Sequence, residues 1–109
     1  MISWHDFEKI EIRSGTILEV TDFPKAKKPA YQIKIDFGPL GIKQSSAQIT
    51  AHYNKDVLVG KQVVAVVNFP PKQIANFFSE CLVLGVYDTD GNVILLQPDR
   101  AVENGQRIG

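Results

Sequence analysis

Apolar and polar residues alternate along much of this chain, and a period of two predicts strands half-buried against a core. From Ile10 to Val20, the residues Ile10, Ile12, Ser14, Thr16, Leu18 and Val20 share one side, while Glu11, Arg13, Gly15, Ile17 and Glu19 share the other. Gly15 in the middle of so long a strand marks a place for a bulge or a sharp coil, as small barrels use to turn corners. A second strand follows, with Tyr31, Ile33, Ile35 and Phe37 set against Gln32, Lys34, Asp36 and Gly38. The turn Gly38-Pro39-Leu40-Gly41 then returns the chain into Ile42 to Ser46 as a hairpin partner. A fourth strand runs from Gln62 to Asn68 and a fifth from Cys81 to Val86, which Asp90-Gly91-Asn92 turns into Val93 to Leu96.

Two short stretches read as helix. Ser3 to Glu8 has Ser3 as N-cap and Asp6 at the capping-box position, and Trp4 and Phe7 share one face. A helix this short does not hold itself together in water, so that face must dock. Gln48 to Tyr53 predicts the second helix, ended by Asn54, between strands three and four. The count favours an all-β fold, a five-stranded OB-fold barrel with short helices and terminal extensions, as one domain over residues 1–109. Val63 to Val67 and Leu82 to Val86 are apolar on both faces, so their outer sides need cover. With Trp4 and Phe7 this points to a homodimer, the alternative being cover from the protein's own helices.

Composition narrows the class. At 109 residues, 44% hydrophobic and 22% charged, the chain fits one ordinary globular domain. No stretch approaches the ~18 consecutive apolar residues of a membrane helix, and Met1-Ile2-Ser3-Trp4-His5-Asp6 is no secretory signal, so a cytoplasmic setting without membrane insertion is expected. Twelve basic residues balance twelve acidic ones, which argues against indiscriminate nucleic-acid binding. Lys25, Lys27 and Lys28 form the densest local cluster, with Lys34 and Lys43 further along. Chemistry is scarce. His5 and His52 fall on predicted helices without ligand spacing to carboxylates, and Cys81, the lone cysteine, opens an apolar strand where a buried inert thiol is expected. Glycines occur singly, with no phosphate-binding loop. No catalytic residue, metal or cofactor is expected, and the chain does not read as an enzyme.

The binding signal lies in Asn68-Phe69-Pro70-Pro71-Lys72 and, seven residues later, Ser79-Glu80-Cys81-Leu82. An apolar strand feeds Asn68, two prolines forbid its continuation, and a cation, a hydroxyl and a carboxylate gather at its end. Trans is the default for the Pro70–Pro71 bond, with cis also open to it. With these motifs the chain resembles the tRNA-binding OB domains found at the C-terminus of some methionyl-tRNA synthetases and in free-standing tRNA-binding proteins. The likeness extends through Asp6 to Ile17, Phe23-Pro24-Lys25-Ala26, Ile35-Asp36-Phe37-Gly38, Gly41 to Thr50, Leu95-Leu96-Gln97-Pro98 and Gly105 to Gly109. Within that family it is most similar to the CsaA branch, small export-related chaperones.

The resemblance implies a homodimer with terminal segments at the interface. It also implies tRNA binding in the wider family, and chaperone-like binding of unfolded or exported polypeptides in this branch. Asn68, Lys72 and Ser79 match polar residues used against RNA, and Glu80 would read a base or orient Lys72. The chain departs from the family's usual pattern at Lys72, Cys81 and Leu82, and at Ala47-Gln48. Two functions follow. The first is a chaperone-like binding protein holding polypeptides passively, without ATP, with Phe77 and Phe78 as walls of an apolar pocket at the dimer interface. The alternative is a tRNA or RNA-binding module in translation, with cations and the aromatics Phe69, Phe77, Phe78, Tyr31 and Tyr87 as stacking platforms.

Overall fold

The long alternating run folds as β1, Ile12–Asp22, and the sheet is built around it. The computed structural model describes residues 1–109. The N-terminal half of β1 pairs antiparallel with β4, Gln62–Val66, while its C-terminal half pairs with β2, Tyr31–Asp36. β3, Ile42–Ala47, and β7, Leu82–Val83, complete a five-stranded antiparallel sheet in the order β3-β2-β1-β4-β7. The sheet curls until its edges nearly meet. The remaining gap is bridged by Glu80 N–H donating to Gln44 O at 2.8 Å, Ser46 N–H to Ser79 Oγ at 3.2 Å and Ser45 Oγ to Cys81 O at 3.1 Å. Near-closure removes the exposed edge that an open sheet would carry. This is the expected OB-fold barrel.

The core fills with Ile17, Ile33, Ile35, Phe37, Ile49, Leu58, Val63 and Ala65. A smaller cluster under the rim joins Phe23, Ala30 and Phe77, with the two phenyl rings 5.4 Å apart. Two details of β1 differ from strict alternation. Its register slips between Ile17 and Glu19, so Leu18 is the extra residue of a bulge and Ile17 and Val20 both pack inward. Gly15 is not the bulge. A Cβ there would lie 2.6 Å from Ile35 Cγ2 and 2.8 Å from the Phe37 ring, so glycine permits close packing.

The helices divide. α1, Trp4–Glu8, forms with both capping-box hydrogen bonds between Ser3 and Asp6. The expected helix over Gln48 to Tyr53 is absent, and its reading is corrected: these residues form an extended piece and a turn. Ile49 is drawn into the core, the Tyr53 hydroxyl accepts from Leu95 N–H, and the Tyr53 carbonyl accepts from the Tyr31 hydroxyl. Asn54 starts a helix instead of ending one. Its side chain accepts from Val57 N–H and caps α2, Lys55–Leu58.

The fifth strand also breaks. β7 stays on β4, whereas β8, Gly85–Tyr87, peels away to pair with β9, Val93–Leu95. At Gly85 the two strands approach so closely that a Cβ would meet Val93 Cγ1 at 2.5 Å. The need for outer cover is met in part by the chain itself. Val63, Val64, Ala65 and Val66 are all buried within one copy, and a strap over residues 103–108 lies on β1. β4 therefore requires no partner, while Leu82 and Val86 stay exposed. All peptide bonds are trans, Pro70–Pro71 included, and no helix is long and apolar enough to cross a membrane.

Candidate functional site

The two prolines after β4 lead the chain across the barrel's mouth into a hairpin of β5, Lys72–Ile74, and β6, Phe77–Ser79. This hairpin, the 46–51 segment, β7 and the β8–β9 hairpin enclose an open groove of about 1050 Å³. Half of its lining residues are hydrophobic, among them Ile49, Ile74, Leu82 and Val93. Its cations are Lys28, from the loop after β1, and Lys72. Its aromatics are Phe69 on one rim and Tyr87 on another, 55% and 76% exposed. Apolar floor, sparse positive charge and two solvent-facing rings suit a chain-like ligand rather than a small reactive one.

Of the four polar residues expected to face RNA, Lys72 and Ser79 line the groove while Asn68 and Glu80 do not, and three of the four are already occupied. Asn68 accepts from Glu11 N–H at 3.0 Å through Oδ1 and donates to Lys9 O at 2.8 Å through Nδ2. It thus ties the segment after α1 to the Pro70 rim. Ser79 Oγ accepts from Ser46 N–H, and a Glu80 carboxylate oxygen accepts from Gln44 N–H at 3.0 Å. Gln44 Nε2 donates in turn to Phe78 O. Ser79 and Glu80 therefore bind the end of the β5–β6 hairpin to β3. Lys72 lines the groove with its ammonium group in no ion pair or hydrogen bond within the chain.

The expected pocket walls part company. Adjacent strand residues point to opposite faces, so Phe77 and Phe78 cannot line one wall. Phe77 is buried against Phe23 and is corrected to a core residue, while Phe78 stands half-exposed outside the groove. Trp4 and Phe7 stack 5.4 Å apart on α1, with Trp4 69% exposed beside the exposed Ile2.

Residues far apart in the chain add what local patterns could not show. His52 Nε2 lies 2.6 Å from Asp88 Oδ2, joining the turn after the 46–51 segment to the β8–β9 hairpin. The hydrogen bond from His52, followed by the Asn92 N–H, holds the Asp88 carboxyl below the ordinary aspartate range. His52 sits on a turn rather than a helix, and 36 residues separate it from its partner. Only the Asp90-Gly91 turn signal hinted that Asp88 would be presented at a hairpin tip. Cys81 is buried on the groove floor, where burial and the neighbouring Glu80 carboxylate push its thiol up to about 11. A thiol so poised is a poor nucleophile.

Comparison with known proteins agrees with this geometry. The family profile described as "Putative tRNA binding domain" matches residues 12–107. The crystal structure of CsaA chaperone protein from Picrophilus torridus superposes with a TM-score of 0.94 at 59% identity, covering 100% of both chains. That of chaperone CsaA from Bacillus anthracis gives 0.95 at 50% identity, covering 100% of this chain and 99% of the other. Methionine–tRNA ligase of Bacteroides fragilis is 37% identical over 107 residues, 98% of this chain but 16% of the ligase. The chain thus spans about a sixth of the curated relatives it matches. A profile match over nearly all its residues, with full-length structural neighbours at half identity or more, means that this chain belongs to the tRNA-binding domain family, in its OB-fold form.

Proposed function

We propose that this chain is a non-catalytic, cytoplasmic binding protein of the CsaA type that holds unfolded or exported polypeptides in the groove beside Lys72. The observation that carries this reading is the groove's make-up: half its lining is hydrophobic, and Lys28 and Lys72 are its only cations. Extended apolar segments gain by leaving water for such a surface, roughly in proportion to the area covered. Phosphate-tracking ligands gain chiefly from positive charge, which is thin here and balanced across the molecule at twelve basic to twelve acidic residues. The likeness to two CsaA chaperones over the full chain supports the same reading. A homodimer through the exposed face of α1 belongs to this proposal, because Ile2 and Trp4 otherwise stay in water.

A second reading, tRNA or other RNA in the same groove, is favoured by the family and by Phe69 and Tyr87 as stacking surfaces. One comparison separates the two. The protein is titrated with a chemically unfolded client and with tRNA, each at low and at high salt. Client binding that survives high salt, with delayed client aggregation, is the expected result. Salt-sensitive tRNA binding with no effect on the client would replace the first reading by the second.

A further inference from the structure

Phe69 and Tyr87 are the aromatic residues that line the groove, and each adjoins a residue whose polar side chain is engaged by a distant part of the chain. Phe69 follows Asn68, whose amide is fixed to the backbone at Lys9 and Glu11. Tyr87 precedes Asp88, which meets His52 through one oxygen and accepts the N–H groups of Asp90 and Asn92 through the other. Neither ring belongs to the main core or to the smaller cluster around Phe23, so the fold does not need them. Two large rings left in water cost free energy that a ligand covering them would recover. Hydrogen bonds at the neighbouring residue restrain the chain that carries each ring, which lowers the ordering cost of binding.

We propose that Phe69 and Tyr87 are paired jaws that grip the apolar side chains of an extended polypeptide, with Asn68 and the His52–Asp88 pair as positioning groups behind them. This rests on the polypeptide reading of the groove and adds which residues provide the grip. The occupant is polypeptide rather than RNA because the groove that both rings line also presents Ile49, Leu82, Val83 and Val93. Side chains of alternate residues in an extended segment could reach both rims, while its backbone remains free to bond water or the polar groove edge.

The test uses the full chain and reduced, carboxymethylated lactalbumin as the unfolded probe. Phe69→Ala and Tyr87→Ala should each weaken probe binding about 5-fold or more, with melting temperature unchanged. His52→Ala should weaken it about 3-fold in the native background and not at all in a Tyr87→Ala background, since a positioning group acts only through what it positions. His52→Gln, which keeps an N–H donor towards Asp88, should restore binding. Unchanged affinity in both aromatic variants, while the native protein still binds the probe, overturns the jaws and leaves the polypeptide reading standing. An equal loss from His52→Ala in both backgrounds overturns the positioning role of His52. If the native protein does not bind the probe at all, the polypeptide reading fails and the jaws fail with it. If both aromatic variants lose affinity for a single-stranded RNA oligonucleotide but not for the probe, the jaws belong to RNA and the proposal is overturned.

Discussion

Single residues carry two kinds of duty in this molecule, and sequence separation decides which is visible in advance. Cys81 was legible as a buried inert thiol because its neighbours in the chain are apolar, and the structure buries it. Asn68 was not legible. It follows an apolar strand as a ligand-facing residue would, yet its amide serves backbone groups 57 and 59 residues away. Phe77 and Phe78 needed only the two-residue period to be told apart, since consecutive strand positions face opposite ways. The His52–Asp88 pair has a pH consequence that can be measured. Its carboxyl lies below the ordinary aspartate value, so the unfolded chain takes up a proton more readily than the folded one. The pair's support is therefore present above the unfolded value of ~3.9 and is lost as pH falls through the lower folded value. Asp88→Asn should lower the melting temperature at neutral pH, and the gap from the native protein should close in thermal melts taken from about pH 5 downward.

At the scale of elements, the strands were readable and the connections were not. Alternation located β1 and β2 because one face of each must enter the core, and the Gly38–Gly41 turn located β3 as the partner of β2. It misplaced the helix after β3 because Ile49 and Tyr53, four apart, imitate a helical face. They are held instead by separate long-range contacts, one in the core and one to Leu95, and tertiary bonding overrides so weak a local preference. The bulge at Leu18 is equally invisible, since inserting one residue merely shifts the phase of a pattern that reads well on either side. Beside the backbone bond from Glu80 N–H to Gln44 O, side chains hold the β5–β6 hairpin on the barrel. Glu80→Ala would leave Gln44 N–H without its carboxylate partner, at a cost of about 1 kcal/mol. Hydrogen exchange should then quicken at Gln44 and through the hairpin, while β1 and β4 keep their protection. Uniform quickening across the sheet would mean that the hairpin is integral to the barrel rather than pinned to it.

For the whole molecule, overall neutrality and an uncovered apolar end are the two properties that bear on its associations. Trp4 is the only tryptophan, which makes α1 its own reporter. Its emission should shift to the blue as concentration rises through the micromolar range, and Trp4→Glu should leave a monomer in sedimentation with the barrel still folded. A concentration-independent spectrum would exclude α1 from any self-association. The strap over residues 103–108 has a consequence of timing. Ser14 is fully buried, accepts from Gln106 N–H and donates to Glu103 O, while Gly105 N–H and Ile108 N–H donate to Ser14 O and Ile12 O. β1 is thus completed by residues made some ninety positions after it. Pairing over so long a loop is slow to form. On the ribosome, β1 must wait with its outer face uncovered until residue 108 has cleared the exit tunnel. A nascent chain arrested before that point should be cut by protease within β1, and one arrested well beyond it should resist.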